Sequence, residues 1–194
     1  MNQEKIDRFE KLLLETKREG IEKLIEFIRK SDFYTAPAST RFHGAFEGGL
    51  LEHSLNVYDC LNAKDQNPTW HKVLSEVKGT SIIIASLLHD LCKTYYYIIE
   101  MRNKKNEKGV WESVPFYTVD DKVPYGHGEK SVMMIEEYIK LLPMERYAIR
   151  WHMGAYEPKE VWNTLGEAMK KYPLVLAIHE ADMEASYLLE KEGK

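Results

Sequence analysis

Cysteine is almost missing from this 194-residue chain: Cys60 and Cys92 are the two it has, in no paired spacing. A disulfide framework is therefore excluded, and a reducing, cytoplasmic setting is expected. Long apolar runs are missing too, since no stretch reaches the roughly 18 residues that a membrane-spanning helix needs. The opening residues, MNQEKIDRFEK, are charged and amphipathic, without the apolar segment of a secretory signal. Positive charge is in deficit: 27 Lys and Arg face 31 Asp and Glu, a formal charge of −4, which argues against long nucleic acid as a partner. Nowhere does the chain read G-x-x-x-x-G-K-[ST], G-x-G-x-x-G or G-x-S-x-G, so ATP-driven, dinucleotide-binding and serine-hydrolase chemistry lack support. HEADMEA, from His179, is not a zincin motif, because position 183 is methionine where a second histidine would stand.

What is present has the composition of an ordinary globular protein, 44% hydrophobic and 30% charged, long enough for one domain with a sizeable core over residues 1–194. Its organising stretch is Ser81 to Lys93, SIIIASLLHDLCK. Ile82, Ile83, Ile84, Ala85, Leu87 and Leu88 lead into His89 and Asp90, then Leu91 and Cys92 turn apolar again before Lys93. About three turns of such sequence predict a buried helix. Burial explains the leucines and isoleucines but not the dyad. An ionised carboxylate in a dry interior is costly unless a metal or a base meets it, and a neutral imidazole is a good metal ligand. The pair therefore predicts a metal site built into a helical core.

The remaining chain is helical on both sides of one interruption. Gln3 to Lys30 carries Ile6, Phe9 and Leu13, then Ile21, Leu24, Ile25 and Ile28, on apolar stripes that Gly20 divides into two helices. Residues 1–30 thus form an N-terminal helical extension with a packing role. Ser31 to Ser39 has turn composition and should be an ordered loop, keeping Phe33 and Tyr34 out of water. Gly48 and Gly49 permit a sharp turn or a close backbone approach before a helix bearing His53. Asp65 to Pro68 reads as a loop and Trp70 to Val77 as a short helix. Thr94 to Glu100 and Gly109 to Val119 are β-branched and aromatic, with the polar NKKNEK between them, which predicts a β-hairpin inserted over about 94–119. Trp111, Tyr117 and Tyr125 are candidates for the edge of a pocket. Helices resume at Lys130 to Leu142, Pro143 to His152, Leu165 to Lys170 and Leu174 to Glu190, with a loop at Met153 to Asn163. The fold class is all-α with an inserted hairpin.

Seven histidines are available. His71 lies among solvating neighbours and reads as a surface residue. A single histidine on an apolar helix, such as His53, is more often a hydrogen-bonded core residue than a ligand. His179 and Asp182 share a helical face, and Asp182 falls mid-helix, where capping does not account for it.

The order His53, His89-Asp90, His127, His152 and Asp182 in a helical chain resembles the HD-domain metal-dependent phosphohydrolases. The resemblance runs from about Ser31 to Glu190 and is closest in FHGAFEGGLLEHS, LLHDLCK and the late aspartate. Within that superfamily the chain is most similar to the HD module of bacterial 3′-5′ exoribonucleases and related stand-alone HD hydrolases. The resemblance implies an HD-domain helical bundle in which His53, His89, Asp90 and Asp182 hold a first metal. It makes His127, in GHGEKS, and His152, in RWHMG, the extra ligands of two-metal members, with Asp90 bridging. Met153 stands where such members often have a second histidine, and the HD-GYP signature of cyclic-dinucleotide phosphodiesterases is absent.

Mixed imidazole and carboxylate ligation suits one or two divalent ions of Mn, Fe, Co, Ni or Zn and, to a lesser extent, Mg. The implied activity is hydrolysis of a phosphate ester by metal-activated water, as a phosphomonoesterase or a phosphodiesterase. The implied substrate is a small phosphorylated molecule, a nucleotide or short oligonucleotide. Asp90 would orient or accept a proton from that water, and Lys93, one turn away, would contact a phosphate oxygen or else remain a solvated lysine at a helix end. Arg41, His43 and Arg150 are further substrate-binding candidates. The alternative is a catalytically silent regulatory HD module that binds metal or nucleotide without turnover. Either form is compatible with a homo-oligomer.

Overall fold

The structure is a computed structural model that describes residues 2–190. The expected extent of 1–194 therefore takes in five residues, Met1 and 191–194, that lie outside the described part. The architecture is the expected one, an all-α HD-type bundle with an inserted two-stranded hairpin.

Two N-terminal helices form as their apolar stripes predict. Helix α1 (Gln3–Glu15) starts from Asn2, whose side chain accepts a hydrogen bond from the Lys5 backbone N–H, and buries Ile6, Phe9 and Leu13. Helix α2 (Ile21–Lys30) buries Ile21, Leu24, Ile25 and Ile28 after a turn at Gly20. Gly20 has φ +87°, and a Cβ there would overlap the Tyr138 carbonyl, so both conformation and space require glycine. These apolar side chains join one core with those of α3 (Gly49–Gln66), α5 (Gly79–Leu88) and α9 (Leu174–Glu184).

Helix α5 is apolar all round and correspondingly buried through Ile82, Ile84, Leu87 and Leu88. It stops at Leu88, short of the expected Lys93. The His89 ring takes up the Ser86 carbonyl, one of the acceptors that a continuing helix would use, and Asp90 leaves helical geometry at φ −103°, ψ 19°. A 3-10 turn, Leu91–Lys93, follows. The break is what turns both the imidazole and the carboxylate inward.

Other boundaries shift for local reasons. Helix α3 runs on to Gln66, and α4 (Pro68–Val73) starts at Pro68, because Asn67 caps it through the Thr69 and Trp70 N–H groups. Strands β1 (Tyr97–Lys105) and β2 (Trp111–Val119) pair antiparallel from Tyr97 opposite Val119 to Lys105 opposite Trp111. The first half of NKKNEK is therefore strand, and the turn proper is held by the Asn106 carboxamide oxygen, which accepts from the Lys108 and Val110 N–H groups at 3.0 Å each. Helix α6 (His127–Glu136) begins and ends earlier than expected, so that His127 occupies its first position. After α7 (Pro143–Trp151), the expected loop contains two 3-10 turns, Gly154–Tyr156 and Lys159–Val161, before α8 (Trp162–Lys171). The last expected helix is α9 up to Glu184 and then a π-helical turn, Ala185–Leu189.

One buried acid ties these elements together. Glu145, on α7 and fully buried, accepts hydrogen bonds from the Arg18 guanidinium, from Ser81 Oγ at 2.7 Å and from the Leu142 N–H at 2.8 Å. It links the start of α7 to the start of α5 and to the α1–α2 turn. No helix among the described residues is long and apolar enough to cross a membrane.

Candidate metal centre

Five helices, through their bodies or their ends, bring the site together. His53 sits on the second turn of α3, which enters the core because Gly49 packs directly on the Gly44 backbone; a Cβ on Gly49 would overlap the Gly44 carbonyl. His89 and Asp90 stand at the broken end of α5, His127 starts α6, His152 follows α7, and Asp182 lies on α9. His53, His89, Asp90 and His152 are each at most 2% exposed.

Their functional atoms converge. His53 Nε2 lies 3.3 Å from Asp182 Oδ1, 3.6 Å from Asp90 Oδ2 and 3.3 Å from His89 Nε2. His89 Nε2 is 3.5 Å from Asp90 Oδ2. On the other side of the same carboxylate, Asp90 Oδ1 is 2.8 Å from His127 Nε2 and 3.5 Å from His152 Nε2. The arrangement gives overlapping triads whose ligand atoms lie within 4.8 Å of one another: His53-His89-Asp90, His89-His152-Asp182 and Asp90-His127-His152. Asp90 belongs to two of them, one through each oxygen.

Hydrogen bonds on the far side of each ring settle how the imidazoles face the cluster. A carbonyl oxygen only accepts, so His89 Nδ1–H donates to the Ser86 carbonyl at 2.8 Å and His152 Nδ1–H to the Ile149 carbonyl at 2.7 Å. His53 Nδ1–H donates to the Glu190 carboxylate, whose oxygens are each 3.1 Å away. In all three, Nε2 is the atom aimed at the other ligands. Nitrogen lone pairs and carboxylate oxygens pointed at one another need a cation between them, and this donor set fits a divalent metal. Burial disfavours the His53 imidazolium, but hydrogen bonds with Asp182 and Glu190 outweigh it and raise the His53 pKa to about 10. Burial likewise works against the Asp90 carboxylate, yet Lys93, His89, His127 and His152 hold its pKa well below the usual range.

Lys93 is at the cluster: its ammonium is 2.6 Å from Asp90 Oδ2, and that carboxylate overcomes burial to raise its pKa. The His43 ring centre lies 4.9 Å from that of His53, and burial, then the nearby His53, lowers its pKa. The two arginine candidates are placed differently. Arg41 is exposed, with its guanidinium 5.1 Å over the Phe42 ring. Arg150 is paired with Glu129 at 2.5 Å and Glu157 at 2.6 Å, and lies over the Trp151 ring.

A cavity of about 780 Å³ opens onto Asp90, Lys93, His127 and Asp182. Its hairpin wall comes from Tyr96, Tyr97 and Val119, at the root of the hairpin, and not from Trp111, Tyr117 or Tyr125. Trp111 is 65% exposed at the far end of β2, which puts it out of reach, and Tyr125 is also exposed. The sequence reading missed Glu190, the anchor of His53, which is also held by Asn56 Nδ2 at 2.9 Å. Glu190 begins the charged EKEGK end, where a solvated side chain is the natural expectation. It missed Cys92 as well, whose Sγ is 3.3 Å from His127 Nδ1. His179, by contrast, packs under Gly154 and donates from Nδ1 to the His152 carbonyl at 2.8 Å.

Fold and donor set together define an HD-type helical bundle with buried His and Asp groups that can hold a metal ion. In sequence, the chain is 35% identical over 91 residues to a dihydroneopterin 2′,3′-cyclic phosphate phosphodiesterase of Methanocaldococcus jannaschii, a match covering 44% of this chain and 31% of that protein. The chain thus spans less than a third of the length of the curated relative it matches. No family model matches the chain, and no solved structure matches it significantly. The relative and the buried cluster fit the HD superfamily that the sequence resembles.

If Asp90 serves two ions, His127→Ala and His152→Ala should each lower metal stoichiometry from two toward one in plasma mass spectrometry of the purified variants. Unchanged stoichiometry in both would make the site mononuclear.

Proposed function

We propose that the cluster holds one or two divalent cations and that the protein hydrolyses a phosphate ester of a nucleotide or short oligonucleotide. The observation that carries this reading is the inward convergence of three imidazole Nε2 atoms on Asp90 and Asp182, with each ring's Nδ1 already committed. The similarity to a cyclic-phosphate phosphodiesterase supports a phosphodiester as the bond cleaved. On this reading residues 1–194 form one HD-type domain, with 1–30 as its N-terminal extension.

His53, His89, Asp90 and Asp182 would hold the first ion, and Asp90, His127 and His152 the second. A divalent ion held by these residues would supply Lewis acidity toward phosphoryl oxygens and the activation of water. The chain's own groups do the rest. The Ser86, Ile149 and Glu190 acceptors keep the rings from swinging out of register. Lys93 stays an ammonium beside Asp90 and offers a phosphate oxygen a point charge at the cavity wall. His43, also on that wall, provides a half-buried imidazole on the His53 side. The regulatory alternative would be favoured if the phosphate-holding candidates faced away from the cluster; Lys93 and His43 stand beside it, which supports turnover.

Protein supplied with Mn, Co, Ni, Zn or Mg and offered nucleoside monophosphates, cyclic nucleotides and a bis-aryl phosphodiester should hydrolyse at least one of them. Activity should disappear with chelator and return with metal. Metal binding without hydrolysis of any ester would leave the regulatory module as the function.

A further inference from the structure

Three large aromatic side chains stand in water at the mouth of the cavity. Phe42 is 61% exposed, Tyr156 59% and Tyr187 60%, and all three line its wall. Their placement is built into the backbone. Gly154, at φ +53°, lies so close to α9 that a Cβ would overlap the His179 ring, which presses the Gly154–Tyr156 turn onto that helix. Six residues further along, the chain widens into the π-helical segment Ala185–Leu189, which carries the exposed Tyr187. The two phenol oxygens meet at 2.8 Å. Two unrelated turns thus bring two exposed tyrosines together at the rim through their hydroxyls. Exposed aromatics at a concave site are ligand surface, and their faces suit a flat ring.

The charges in the same cavity limit what that ring is attached to. Among the described residues its wall carries three carboxylates, Asp90, Asp182 and Glu190, against a single ammonium, Lys93, which already pairs with Asp90. No arginine among the described residues lines it, although the Arg41 guanidinium lies 5.1 Å over the ring of the wall residue Phe42. One phosphate can be matched by the metals and Lys93, whereas a second or third phosphate would meet the three carboxylates, with the His43 and His127 imidazoles, the phenols and the Ser39, Thr40 and Ser186 hydroxyls as its other polar neighbours.

We propose that the cavity takes esters with one phosphate carried by a flat aromatic heterocycle such as a nucleoside, with the ring on the Phe42-Tyr156-Tyr187 wall, and discriminates against nucleoside di- and triphosphates. The phosphate half of this assignment rests on the proposed metal-dependent hydrolysis; the ring half rests on the aromatic wall.

Equilibrium dialysis of metal-loaded protein with adenosine 5′-monophosphate, ribose 5-phosphate and ATP, with chromatography to check that each ligand stays intact, separates the two halves. The monophosphate should bind about tenfold to a hundredfold more tightly than ribose 5-phosphate, the scale of base–aromatic stacking, and more tightly than ATP. Tyr187→Ala should collapse the preference over ribose 5-phosphate toward unity, and Tyr187→Phe should restore it. Equal binding of the two monophosphates, tighter binding of ATP, or a preference that survives both Tyr187→Ala and Tyr156→Ala would overturn the proposal. A ring preference with no ester ever hydrolysed would sink the hydrolase reading alone, and hydrolysis without ring preference would sink this one alone.

Discussion

Asp90→Ala should leave the protein without bound metal and reduce phosphate-ester hydrolysis by about a thousandfold or more, the scale of the several kcal/mol that a metal supplies to a phosphoryl transition state. No other side chain of the cluster is so connected. Asp90 faces His53, His89, His127, His152 and Lys93, at distances from 2.6 to 3.6 Å. Removing it takes a ligand from both proposed sites and leaves the Lys93 ammonium, with 13% of its side chain exposed, without its carboxylate. Asp90→Asn should do nearly as much, since it keeps the shape and loses the charge. Metal analysis and an ester assay on protein shown to be folded by circular dichroism check the point, and activity retained without metal would refute the mechanism.

Glu145→Ala should be the most destabilising single change outside the centre. Its carboxylate is fully buried and receives the Arg18 guanidinium, the Ser81 hydroxyl and the Leu142 N–H. Alanine leaves all three donors unmatched, including an arginine side chain that is only 17% exposed. Breaking a buried pair in this way costs about 3–5 kcal/mol. For a chain of this length that lowers the melting temperature by about 10 °C. Glu145→Gln, which keeps an acceptor, should lose less. A shift under about 2 °C in a thermal melt of Glu145→Ala would show that the three contacts are not coupled to folding.

The parts of the fold that could be read from sequence are those where one local signal dominates. The stripes of α1 and α2, the apolar run of α5 and the change to β-branched residues near Thr94 each specify an element without help from the rest of the chain. Where α5 ends was not legible, because its stop depends on the His89 ring capturing the Ser86 carbonyl, a contact that side-chain periodicity does not encode. The site divides along a similar line. His89 and Asp90 announce themselves by residue type, His53, His127, His152 and Asp182 through the resemblance to HD phosphohydrolases, and the structure brings all six together.

Direction, in contrast, is a tertiary property. Arg150 has the right charge, but it is held between Glu129 and Glu157. Tyr96 and Tyr97 reach the cavity because they sit at the hairpin root, while Trp111 is carried away at its tip. Glu190 reaches His53 through a π-helical turn following α9, and nothing in a charged terminal run signals that path.

The most direct measurement is an anomalous difference map from crystals of the Mn-loaded protein. The expected result is a peak enclosed by His53, His89, Asp90 and Asp182, with a second beside His127 and His152 if two ions bind. Manganese absent from this cluster, or bound only at surface carboxylates, would contradict a metal centre at the core of the bundle.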